Sequence, residues 1–424
     1  MPAWPRRFSP FGRSAATLVS GNVAAQALPV LAAPLLTRLY APEDFGLFAL
    51  YASLFGILQV GATLRYETAI MLPDGNDDAA VITRLSLLLS IAAGTLVLGA
   101  VVIAAEPLAR RMGNPALAPW LYVLPASVVL LGWVQAFTAW GNRRRAYRRL
   151  SAGRVTQTGV MTAMQVALGA MGAGGGGLIG GVVAGQAAAA AVLGTGGREW
   201  MTAGTGRMMT LARRYRDFPR FALPGALLNA TAFNLLYVLL SVLFSGSEVG
   251  YYALIYRVLA LPSSVIGNAV GLVYFERAAA ERRDSGTLRS TFHATLKRLV
   301  VIGIPVFAVL LVGVRYLFAP VFGAEWAEAA RFAIVLLPFF LVRFISSTLS
   351  TTMTVCEKLK PALAIHATII TANLVLFAAA WVSGMGFFDF LLAYAVIQSL
   401  LYGAFLLYYR RLAILPVDTS GDGT

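Results

Sequence analysis

Runs of apolar residues long enough to cross a bilayer recur along the whole chain, separated by short polar stretches rich in arginine. About 20 residues of helix span a hydrocarbon core. That criterion predicts twelve spanning helices, at 15–37, 45–72, 82–105, 119–141, 155–173, 177–195, 221–244, 250–273, 298–319, 331–355, 361–383 and 387–409. Spans five and six are Gly/Ala-rich and divided only by the turn at Gly174 to Gly177. Without that break there would be eleven spans, and the second half would be inverted. The first 14 residues, with Trp4, Arg6, Arg7, Phe8, Phe11 and Arg13, predict an interfacial segment. Their apolar continuation is longer than the roughly 7–15 residues of a signal peptide.

Composition agrees with a membrane chain. Of 424 residues, 58% are hydrophobic and 12% charged, against roughly 25% charged in a globular domain. Mean hydropathy is +0.73. The single Cys356 excludes a disulfide scaffold, and one Cys with two His, His293 and His366, argues against a zinc site. No cofactor is expected.

The net charge of +15 would suit nucleic acid if it were evenly spread, but its distribution suits a membrane, and no nucleic-acid partner is expected. Positive residues collect in cytoplasmic loops. With the N-terminus inside, the loop NRRRAYRRLSAGR, the stretches 196–220 and 274–298, and both ends hold most of the Lys and Arg, 26 of 34 across all cytoplasmic segments. Opposite loops carry Glu43, Asp44, Glu106, Glu248, Glu325, Glu328 and Asp389. The expectation is a multi-pass membrane protein of twelve spans with both termini cytoplasmic.

The chain also repeats itself. Asp44-Phe45-Gly46-Leu47-Phe48-Ala49-Leu50 opens span two, and Glu248-Val249-Gly250-Tyr251-Tyr252-Ala253-Leu254 opens span eight. A second echo pairs Pro107 with Pro320, Ala116 with Ala329, and Leu124-Pro125 with Leu337-Pro338. Two parallel six-helix lobes are predicted, 1–195 and 221–424, joined by a basic cytoplasmic linker at 196–220. Such repeats suit a transporter that rocks one lobe against the other.

No GxxxxGK[ST], HExxH or GxSxG string is present, so no ATPase or hydrolase chemistry is expected. The run AGAMGAGGGGLIGG follows a helix and reads as a tight turn with close helix packing. Charges inside the spans are more informative. Arg65 and Glu67 lie in LRYETAIMLP at the cytoplasmic end of span two, Arg257 in span eight, and Arg343 near the middle of span ten. Arg315 lies near an interface and is expected to snorkel. A membrane-embedded Arg costs about 2.5–3.5 kcal/mol even on the lenient insertion scale, so Arg257 and Arg343 are expected to line a wet cavity or bind an anion. Glu67 and His366, near the start of span eleven, are candidates for ion coupling.

The strings APLLTRLYAPEDFGLFALYASLFGILQVGATLRYETAIMLP and FPRFALPGALLNATAFNLLYVLLSVLFSGSEVGYYALIYRVLALPSSVIGNAVGLVYF resemble two blocks of the bacterial polysaccharide-biosynthesis flippases. These belong to the multidrug/oligosaccharidyl-lipid/polysaccharide superfamily. The resemblance implies an all-α bundle of two lobes forming a V-shaped central cavity. It implies an undecaprenyl-diphosphate-linked oligosaccharide as substrate, moved to the periplasmic leaflet for O-antigen, exopolysaccharide or capsule. Membrane lipids, a polysaccharide polymerase and a chain-length regulator would be partners. Arg65 and Glu67 of LRYET and Arg257 of YRVLALP fall where that family keeps such residues, whereas Arg343 rests on membrane electrostatics. Alternatives are a lipid-linked peptidoglycan precursor flippase, a drug–cation antiporter and a membrane-embedded polymerase or ligase.

Overall fold

The computed structural model describes residues 25–26, 28–196, 199–202 and 204–415. The interfacial reading of residues 1–14 and the start of the first predicted span lie outside these. Among the described residues the chain is helical throughout, with no strand. A helix occupies every predicted span. They are α1 (Leu28–Leu39), α2 (Pro42–Leu58), α3 (Asn76–Arg111), α4 (Leu124–Arg143), α5 (Tyr147–Ala170), α6 (Gly175–Gly194), α7 (Leu223–Leu243), the pair α8 (Gly246–Leu259) and α9 (Asn268–Ser285), then α10 (Arg289–Phe322), α11 (Ala327–Leu349), α12 (Leu359–Ser383) and α13 (Phe387–Ile414).

Nine of the described helices pass a strict test of length and hydropathy, and the bent α8–α9 pair makes ten. The other two fall short for visible reasons. Only part of α1 is described, and α5 is polar for a span, with Thr156, Gln157, Thr158, Thr162 and Gln165 along it besides Arg148, Arg149 and Arg154. Those arginines are good helix formers, which is why α5 starts well before the predicted 155. Side chains such as Leu96, Ile103, Val309 and Val382 are more than 70% exposed. Apolar exposure on this scale marks a surface meant for lipid rather than water.

The chain divides into two compact units, Met1–Gly250 and Tyr251–Thr424. Helix α7 packs along α2 within the first unit, with Gly56 against Asn234. The linker is itself ordered against that unit. Its helix Met208–Arg214 buries Leu211, Tyr215 follows at i+4 into the same core, and the Tyr66 hydroxyl donates to the Ala212 carbonyl at 2.9 Å. Arg144–Glu199 (3.1 Å) and Arg207–Asp78 (3.4 Å) pin its first half.

The glycine run does what close packing requires. Gly174 takes φ +56°, a turn conformation that L side chains resist. Beyond it, a Cβ on Gly176 would enter the Trp120 ring, and one on Gly185 would lie 2.5 Å from the Gln157 carbonyl. Helices α5 and α6 therefore meet backbone to backbone, as small-residue faces in membranes do.

The two echo segments begin alike. Asp44, third residue of α2, accepts from the Ala41 N–H at 3.0 Å, and Glu248, third residue of α8, accepts from the Ser245 N–H at 2.8 Å. Each acid satisfies an orphan donor and complements the helix dipole. The two helix starts also cross. A Cβ on Gly46 would lie 2.9 Å from the Gly246 carbonyl carbon, and one on Gly250 would lie 2.7 Å from that of Pro42. Beside the crossing the Ser247 hydroxyl donates to the Glu43 carboxylate.

In the second unit α11 packs between α10 and α13. Its centre is aromatic, with Trp326, Phe339, Phe340, Phe344 and Phe390 fully buried.

Candidate functional site

Helix α8 ends where Pro262 interrupts it. Proline offers no N–H to the Val258 carbonyl, and a π-helical turn, Ser263–Gly267, carries the chain into α9 with a bend of 43°. Arg257 therefore sits in the last turn of α8, where a cation is favoured by the helix dipole. Broken helices of this kind form ion and substrate sites in transporters. The sequence reading treated 250–273 as one continuous helix, although Pro262 was the available signal.

Tyr256, the residue before Arg257, faces α11. The Arg343 guanidinium donates to its hydroxyl at 2.6 Å and lies over its ring at 5.0 Å, with the Phe340 ring at 5.7 Å. Tyr402 from α13 lies near the same guanidinium. Tyr252 and Tyr394 extend the aromatic wall, their rings edge to face at 6.4 Å. The structure thus brings Arg343 and the Arg257 segment together through Tyr256. It holds Arg343 by a hydroxyl and ring faces, groups that position a cation without neutralising it. The tyrosines were missed because hydropathy counts them as span residues. Their helical spacing, 252 with 256 and 394 with 402, was the readable sign.

Arg65 and Glu67 lie in the first unit. The backbone after α2 turns sharply, with Leu64 at φ +50° and Arg65 at φ +67°. Two successive bulky residues in the left-handed region cost roughly 1–2 kcal/mol each, and strain of that kind concentrates at functional sites. The turn is held by Glu67, which is buried, ion-paired to Arg65 at 3.2 Å and bonded by the Thr63 hydroxyl. His366 is half-buried in the second turn of α12. It belongs to the second unit and Glu67 to the first, so the two coupling candidates do not share a site within either unit.

Among the described residues no group of three or more His, Cys, Asp or Glu is placed to hold a metal.

The model of the family described as polysaccharide biosynthesis protein matches residues 35–331, well over half of the chain. The chain belongs to that family. Among solved structures, this polysaccharide-biosynthesis protein is similar to an inward-facing multidrug-resistance MATE-family transporter of the MOP superfamily. The TM-score is 0.72 at 15% identity, over 93% of this chain and 96% of the other. It is also similar to the lipid II flippase MurJ in an inward closed conformation, with TM-score 0.68 at 13% identity over 93% and 86% of the two chains. At such identities the likeness establishes the fold of a multi-pass membrane transporter. No curated protein matches the sequence.

Proposed function

We propose that this protein is a flippase that carries an undecaprenyl-diphosphate-linked oligosaccharide from the cytoplasmic to the periplasmic leaflet of the inner membrane. Both termini and the linker face the cytoplasm, and the product feeds polymerisation of O-antigen, exopolysaccharide or capsule. The observation that carries this reading is the Arg343–Tyr256 contact beside Arg257, a cationic site on intramembrane helices of a polysaccharide-biosynthesis protein. Guanidinium groups grip phosphate oxygens two at a time, so Arg257 and Arg343 take the diphosphate. The likeness to a lipid II flippase in fold supports the same task with another head group as the second reading.

A diphosphate carries about two negative charges, and each is worth about 2.3 kcal/mol per 100 mV. The cell interior is negative, so outward movement of the anion runs with the field, contributing roughly 4–5 kcal/mol at about 100 mV. The test uses proteoliposomes loaded with lipid-linked oligosaccharide. A potassium-diffusion potential, positive on the periplasm-equivalent face, accelerates flipping, and Arg343→Ala abolishes it while the protein stays in the membrane. Stimulation by a proton or sodium gradient alone would replace the electrophoretic mechanism with antiport, for which Glu67 and His366 are the candidates. Absence of flipping under every gradient would reject the function.

A further inference from the structure

A groove of about 560 Å³ opens on the first unit beside the Arg65–Glu67 turn. Helix α4 lends it Gln135, Thr138 and Asn142, at spacings of three and four that place them on one helix face. Helix α5 adds Arg154 and Gln157, again three apart, and Glu67 closes one end. Both helix segments adjoin the arginine-rich loop between α4 and α5, so the groove lies at the basic end of the unit.

Gln135, Thr138, Asn142 and Gln157 make no side-chain hydrogen bond among the described residues. Elsewhere in this unit intramembrane hydroxyls bond back to their own helix, as Thr83 does to the Ala79 carbonyl at 2.9 Å and Ser86 to that of Ile82 at 2.9 Å. Amide and hydroxyl groups that bond to nothing in the protein are open to water or to a polar ligand. The volume lies within the roughly 300–1,000 Å³ range of small-molecule sites.

The chemistry of the lining selects the ligand. Three amides and a hydroxyl both donate and accept without carrying charge. Glu67 is already offset by Arg65, and Arg154 is exposed at the rim. That set is poor for a diphosphate and well matched to a dense array of neutral hydroxyls. We infer that the groove is a carbohydrate subsite, holding sugar residues of the transported lipid. The inference rests on the flippase reading above.

The test places a thiol in the groove, Thr138→Cys with Cys356→Ala, in vesicles holding the full chain. A polar maleimide labels it, and two probes are compared: lipid-linked oligosaccharide extracted from membranes of the source organism, and sugar-free undecaprenyl diphosphate. The glycosylated probe is expected to slow labelling at least fivefold or so and the sugar-free probe not at all, since a site built for hydrogen bonds rejects a ligand that lacks them. In parallel, Gln135→Leu with Gln157→Leu weakens binding of the glycosylated probe by about tenfold or more and leaves the sugar-free probe unchanged. Equal protection by both probes, protection by neither, or a thiol that no aqueous reagent reaches would overturn the subsite. Each of those results in vesicles that still flip the lipid leaves the flippase reading standing. Vesicles that flip nothing remove the function and the subsite together.

Discussion

Replacing Gly250 with Ala puts a methyl group where the chain has room for none. The new Cβ would lie 2.7 Å from the Pro42 carbonyl carbon and 3.1 Å from the Gly46 nitrogen, all of it backbone. The nearest atom is the Pro42 carbonyl oxygen, and ordinary contact begins at 3.4 Å, so the starts of α2 and α8 must part by about 1.6 Å. Overpacking of this kind costs about 1–3 kcal/mol, and neither backbone can rotate aside as a side chain would. We take about 3 kcal/mol. Alanine recovers roughly 1 kcal/mol through its better helix propensity. The crossed arrangement should therefore lose about 2 kcal/mol, a shift of roughly 30-fold in the equilibrium constant between crossed and parted helix starts. The assay is cross-linking. Glu43→Cys and Ser247→Cys, at positions whose side chains now bond each other, are joined by an oxidant in a Cys356→Ala background. Gly250→Ala should reduce the initial rate of cross-linking, by up to about that factor. Gly403→Ala, at a helical glycine with nothing within 4 Å of its new Cβ, should not. Equal rates in the Gly250→Ala variant and its parent, with the protein monodisperse in both, would refute the steric argument.

Three other predictions follow from side-chain environments. Arg343→Lys keeps the charge but loses the planar group that lies over Tyr256 and Phe340; flipping should fall at least tenfold, by loss of about 1.5–3 kcal/mol of charged hydrogen bonding, and full activity would show that a point charge suffices. Burial pushes the Cys356 thiol up, against the lowering influence of Arg282 and Lys358. Since the thiolate is the reactive form, alkylation at pH 8 should run at least about tenfold slower in the native protein than in detergent-unfolded chain and quicken as pH rises; equal rates at pH 8 would contradict the burial. Gly176→Val should collide with the Trp120 ring and cost about 3 kcal/mol or more, read as a fall in thermal denaturation midpoint, and an unchanged midpoint would remove the close-packing account of the glycine run.

The positions of the helices were legible because a bilayer demands about 20 apolar residues per crossing, a signal that survives uncertainty at every boundary. The glycine run was legible for a similar reason, since only close packing explains so many missing side chains. What escaped has a common cause, namely contacts between residues far apart in the chain. Arg207 meets Asp78 and Arg144 meets Glu199, which turns a stretch read as a bare linker into a docked one. Arg343 was singled out for its charge alone, and nothing in its own helix pointed to Tyr256, 87 residues earlier. The strained turn at Leu64 and Arg65 was invisible because neither residue type announces a left-handed backbone. Pro262 was in plain view, but hydropathy averages over a proline without registering the break.

The docking of the linker bears on how the protein is made. Chains are synthesised from the N-terminus, and early units fold while later ones are still absent. Every partner of the linker described above, Tyr66, Asp78 and Arg144, precedes it in the sequence. The segment therefore emerges from the ribosome onto a surface that is already inserted, and its capture needs nothing from the residues after 250. The first unit can close around its own tether before the second exists.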